Sequence, residues 1–224
     1  MPVWQQLFDS LKDRNFMIVA VAEAARGPEA CRQWIEAAKS TYWSLIDAEG
    51  TVAELYAMVN VPNAIWIDEA GKIVRGPENA GSTDHFRRMD LKTRTMSPED
   101  QAARLAARTA YLDAVKDWVL TGRHALPADA ARRALPAITP EVALGNAHFR
   151  LGTWLRHQGR AAEGDRHLAE ASRLHPESWI IWRQAADLQE AGKASGPEFW
   201  ARVQALGDKP YYPAADLPGV PRGI

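Results

Sequence analysis

A single cysteine, Cys31, stands among the 224 residues. One thiol cannot form an internal disulfide, a CxxC redox pair or a cysteine-based zinc site. Long apolar runs are also missing. The longest, Phe16 to Ala22, has the length of a strand and falls far short of the roughly 18 residues a membrane-spanning helix needs. No excess of charge of one sign exists. Lys and Arg total 27 against 28 Asp and Glu, a formal net charge of −1, and neither half of the chain is basic. No field therefore draws the protein to nucleic acid or anionic lipid. The start, Met1-Pro2-Val3-Trp4-Gln5-Gln6, lacks the basic residues and apolar core of a signal peptide. As written the chain reads as cytoplasmic, with export the alternative if the true N-terminus lies upstream. What is present is ordinary globular composition, 46% apolar and 25% charged, in a length that suits one or two domains.

Helical and strand signals alternate over the first third. Val3, Trp4, Leu7, Phe8 and Leu11 share one helical face. Phe16 to Ala22 reads as a strand buried on both faces, as in a parallel sheet. Gly27-Pro28 opens a helix whose apolar stripe is Cys31, Trp34, Ile35 and Ala38. Tyr42 to Ile46 is extended, Val52 to Val59 holds a short helix, and Asn63 to Ile67 pairs with Lys72 to Arg75 across a tight turn. The turn-rich run Gly76 to Ser82 closes this α/β part.

Beyond Met96 the strand signals stop. Ser97-Pro98-Glu99-Asp100 is a helix start with a hydroxyl cap, a proline and first-turn acids, and that helix is predicted to run to Leu120 and stop at Gly122. Further helices are predicted at 128–135, 140–158, 161–174, 178–191 and 197–206. The tail over 209–224 carries Pro210, Pro213, Pro218 and Pro221 and is predicted to be extended. Residues 145–178 fit the spacing of a tetratricopeptide repeat, with Leu151-Gly152 as the central pair of the first helix, Leu155 on the same face, Gly164, Leu168 and Ala171 at the small, large and small positions of the second, and Pro176 closing the unit. A plain helical hairpin is the alternative.

The stretch Val59-Asn60-Val61-Pro62-Asn63-Ala64-Ile65-Trp66-Ile67-Asp68-Glu69-Ala70-Gly71-Lys72-Ile73-Val74 resembles a conserved-order block of the thioredoxin superfamily, in its TlpA/ResA-like redoxin branch. The segments Phe16–Glu23 and Leu45–Tyr56 resemble the same branch in order and spacing, so the likeness covers roughly residues 1–76. It implies a thioredoxin-like fold, thiol–disulfide oxidoreductase ancestry and no organic cofactor. It also implies that Pro62 is a cis-proline and that the Val61 backbone pairs with an extended peptide or protein substrate by strand addition.

The redoxin dithiol has no counterpart in the chain, so no catalytic residue is carried over. Met1-Pro2 resembles the Met/Phe-Pro step just past the second redoxin cysteine, which places the first strand and both cysteines upstream. A mis-assigned start, an upstream codon read as a stop and a degenerate non-redox relative all remain open. A missing central strand would leave two strand edges unpaired, at roughly 1–3 kcal/mol per buried backbone group, against about 5–15 kcal/mol for a whole domain.

The combined expectation is α/β plus all-α: an N-terminally incomplete thioredoxin-like domain over 1–90, a tetratricopeptide-like domain over 97–208, and an extended tail. The function expected is that of a redoxin relative without its redox centre, with a peptide- or protein-binding module as the alternative. Val61 and Pro62 are the candidate substrate-binding residues. Cys31 reads as a core cysteine, with a lone reactive thiol as the alternative. A homo-oligomer is compatible with the sequence. The six histidines contain no HxH or HxxxH pair, so no metal site is expected. Asp84-His85 has no nucleophile elbow near it.

Overall fold

The computed structural model describes residues 2–220. It is a mixed α/β chain with two small sheets and nine α-helices among those residues. No helix of the described residues is long and apolar enough to cross a membrane. The chain divides into two compact units, each assembled from separate stretches of sequence. The first takes Met1–Gln5, Met17–Val61 and Pro136–Ala201; the second takes Gln6–Phe16, Pro62–Leu135 and Arg202–Ile224. This differs from a division near residue 90. Each unit joins stretches that lie far apart in sequence.

In the first unit, β1 (Val19–Glu23) and β2 (Trp43–Asp47) form a parallel pair in the register Val19↔Trp43 to Glu23↔Asp47. The crossover between them is a 3-10 turn, Pro28–Ala30, followed by α2 (Arg32–Ala38). β1 starts three residues later than the apolar run predicts and is not buried on both faces: Val19 is 50% exposed, no β1 residue is buried, and Trp43 and Leu45 on β2 are 63% and 48% exposed. The expected stripe of α2 is not buried: Trp34 is 68% exposed, and α2 contributes no buried residue. After β2 comes α3 (Thr51–Leu55).

The rest of this unit is helical: α6 (Pro140–His157), α7 (Ala161–Leu174) and α8 (Trp179–Gln189). α6 and α7 cross closely because both contact positions are glycine. A Cβ on Gly152 would lie 2.8 Å from the Leu168 Cγ, and one on Gly164 would lie 2.8 Å from the Gly152 carbonyl oxygen. Leu168 fills the seam, with Phe149, Ala171, Ile181, Ala185 and Ala25 around it. The hairpin and the spacing of its small residues are as the sequence predicts.

In the second unit, β3 (Asn63–Ile67) and β4 (Ile73–Asn79) form an antiparallel hairpin. β4 continues through Gly76-Pro77, where the sequence predicts a turn. Pro77 falls in the irregular part of the register, between the pairs Ala64↔Glu78 and Trp66↔Arg75, where its missing N–H costs no ladder bond. α4 (Pro98–Thr121) begins at the predicted cap, the Asp100 N–H donating to Ser97 Oγ at 3.0 Å, and ends at left-handed Gly122. α5 (Ala128–Ala134) packs on β4. The core is built on Trp66, 3% exposed, stacked on Trp118. Its indole N–H donates to the Tyr111 hydroxyl at 2.9 Å, and that hydroxyl donates to Glu78. Buried Arg75 closes this network with a bidentate pair to Glu78.

The tail carries no helix or strand over its described residues, as its prolines predict, yet it is packed. Tyr211, Ala215, Leu217 and Val220 are buried, and the Asp84 carboxylate accepts the N–H groups of Tyr211 and Tyr212 at 2.8 and 2.7 Å. Asp84 is thereby a structural anchor. Met1 and residues 221–224, including Pro221, lie outside the described residues. The remaining helices are α1 (Pro2–Ser10), which stops one residue short of Leu11 on the predicted face, and α9 (Pro197–Gln204).

Candidate functional site

The first unit holds a groove whose floor is one face of α6. Val142, Asn146, Phe149, Arg150, Thr153 and His157 recur at i, i+4, i+7, i+8, i+11 and i+15, the period of a single helical face. One wall is α3, placed by Asp47 at the end of β2. That carboxylate accepts the Thr51 and Val52 N–H groups at 2.9 and 2.6 Å, capping the first turn. Gly50, at φ 71°, allows the tight approach: a Cβ there would sit 3.0 Å from the Phe149 ring. Glu54 on α3 then pairs with Arg150 on α6 at 3.0 Å. The other wall is the α7–α8 corner. Ser178 caps α8 by accepting the Ile181 N–H, and the Val59 carbonyl accepts the N–H groups of Trp179 and Ile180 at 2.7 and 3.1 Å.

Two adjoining cavities result, and they share Glu49 and Arg150 as walls. The smaller, about 110 Å³, is lined mainly by apolar groups such as Ala53, Val142, Phe149 and Ile180, with His175 at one side. The wider, about 310 Å³, is lined by Leu151, Thr153, Trp154 and His157 besides the shared pair. Trp154 is 53% and Leu151 41% exposed, so this helix presents apolar surface where the sequence places a packed seam. His175, which lines the smaller, and Thr153, which lines the wider, each carry a buried side-chain atom, Nδ1 and Oγ1, with no hydrogen-bond partner among the described residues. Burial holds the His175 imidazole below its ordinary pKa against the opposing pull of Glu177, so it is neutral near pH 7. Three carboxylates, Glu49, Glu54 and Glu177, face one guanidinium, Arg150.

The residues singled out from the sequence lie elsewhere. The Val61 N–H donates to the side chain of Asn60 at 2.9 Å, so strand pairing through that N–H requires Asn60 to release it. The Pro62 carbonyl accepts the Ala80 N–H at 3.3 Å within the β3–β4 unit. Cys31 is not the core residue expected: it is half-buried at the N-cap of α2, its thiol donating to the Pro28 carbonyl at 3.3 Å. Of its neighbours on the expected stripe, Trp34 is exposed and Ile35 and Ala38 are only half-buried, so no core forms around it.

Of the histidines, His148 and His167 meet, Nδ1 to Nδ1, at 2.8 Å across α6 and α7. His157 Nε2 contacts the Ala25 carbonyl instead. Among the described residues no three His, Cys, Asp or Glu side chains converge as a ligand set.

The groove was missed at the sequence level because its walls come from β2–α3 and from the α7–α8 corner. Only the periodic face of α6 could have pointed to it. Compared with protein-family models, curated proteins and solved structures, the chain matches none.

Proposed function

We propose that this chain is a binding module on a redoxin-related scaffold, and that it holds an extended segment of another protein along the α6 groove. The observation that carries this reading is the pair of adjoining cavities along one face of α6, which share Glu49 and Arg150 as walls and are lined mainly by apolar groups. The thioredoxin-like assignment, with a tetratricopeptide-like hairpin after it, rests on the resemblance of residues 1–76. It is supported by a parallel pair β1–β2 and an antiparallel pair β3–β4. The chain by itself contains one thiol and performs no dithiol exchange in this reading.

The test is isothermal titration of the 224-residue chain with reduced, carboxamidomethylated α-lactalbumin, a permanently unfolded polypeptide. Saturable binding that Val142→Trp abolishes is the expected result. Absence of binding, or binding indifferent to that substitution, overturns the reading.

A second reading is favoured by the sheet topology, two two-stranded sheets rather than one. In it the chain is part of a thiol–disulfide oxidoreductase whose dithiol strand is supplied from outside residues 1–224. An in-frame strand with Trp-x-x-Cys in the coding DNA ahead of Met1 supports it, and a stop codon there with no such segment removes it.

A further inference from the structure

The partner's chemistry follows from the groove, provided the binding reading above holds. We propose that the segment bound is a basic, extended peptide with two apolar anchors, a branched aliphatic residue for the smaller cavity and an aromatic one for the wider.

Cavity size separates the anchors. An apolar cavity of about 150 Å³ accommodates a benzene ring. The smaller cavity, about 110 Å³, is below that size and suits a valine or leucine side chain. The wider, about 310 Å³ and flanked by the exposed Trp154 ring, has room for a phenyl group against an indole. The two cavities share Glu49 and Arg150 as walls, so one extended segment can occupy both.

Charge selects the flanks. Arg150 is committed to Glu54 at 3.0 Å, while Glu49 and Glu177 are exposed and enter no ion pair among the described residues. The rim is left with two uncompensated carboxylates, which attract lysine or arginine and repel acidic segments.

Fluorescence anisotropy at low ionic strength tests this with three labelled peptides, Gly-Lys-Leu-Ser-Phe-Lys-Gly, Gly-Glu-Leu-Ser-Phe-Glu-Gly and Gly-Lys-Ala-Ser-Ala-Lys-Gly. The first is expected to bind at least about tenfold more tightly than either of the others. The double variant Glu49→Lys with Glu177→Lys, both at exposed positions and so safe for folding, is expected to reverse the preference between the first two. Equal binding of the basic and acidic peptides overturns the charge assignment, and equal binding of the first and third overturns the anchors. Binding of unfolded α-lactalbumin with no binding of any of the three peptides overturns this inference and leaves the binding reading standing. Failure of both overturns both.

Discussion

Single residues set the closest tolerances in this protein. Gly164 faces the Gly152 carbonyl and the Arg156 stem so closely that a methyl group has no room. Gly164→Ala is expected to destabilise the fold by about 1–3 kcal/mol, the usual cost of overpacking, read from urea denaturation. Glu23 is a different case. Burial at the end of β1, with the Asp47 carboxylate opposite it in the register, pushes its pKa from 4.5 to about 8. Below pH 4.5 the carboxyl is protonated in both folded and unfolded chains and costs nothing. Between 4.5 and about 8 the unfolded chain gives up this proton while the folded one keeps it, so stability falls as pH rises and then levels off. Glu23→Gln removes the penalty. The variant should match the parent near pH 4 and exceed it by roughly 2 kcal/mol near pH 9, a figure reduced for partial solvent screening. A stability–pH curve for Glu23→Gln parallel to that of the parent would refute this account.

At the scale of elements, the groove depends on α3 being held by one carboxylate. Asp47→Ala removes the acceptor for two first-turn N–H groups. A loss of about 1–2 kcal/mol is expected, together with at least tenfold weaker peptide binding, because the α3 wall carries Ala53 and Glu54. An intact affinity in that variant would show that α3 is not a wall of the site. The helices themselves were the most legible elements. Ser97-Pro98 and Thr139-Pro140 at the starts of α4 and α6, and Gly122 at the end of α4, act through bonds within one turn, and local bonds are written in local sequence. The strand through Gly76-Pro77 was not legible, since its pairing with Asn63 and Ala64 is decided across the hairpin. Nor was the exposure of Trp34 and Trp154, because periodicity identifies an apolar face without saying what covers it.

At the scale of the whole molecule, each unit is closed by segments remote in sequence. Gln184 on α8 bridges the Glu23 carbonyl and the Ala25 N–H in one unit. In the other, Asp84 holds Tyr211 and Tyr212, while Arg87 donates to the carbonyls of Lys209 and Gly207. Asp84→Ala leaves Arg87 without its carboxylate and the buried Tyr211 N–H without its acceptor. A loss of about 3 kcal/mol is expected, with new chymotryptic cleavage after Tyr211 as the second readout. Composition, charge and periodicity determined by themselves the class of the chain: mixed α/β, helical beyond residue 97, with a hairpin of small-residue contacts and a single thiol within these 224 residues. The pattern on α6 also contained the floor of the groove. Its walls, its unpaired polar atoms, the burial of Glu23 and the docking of the tail were decided only by tertiary structure. Capping and periodicity act over a few residues, whereas cavities and desolvation arise where distant segments exclude water together.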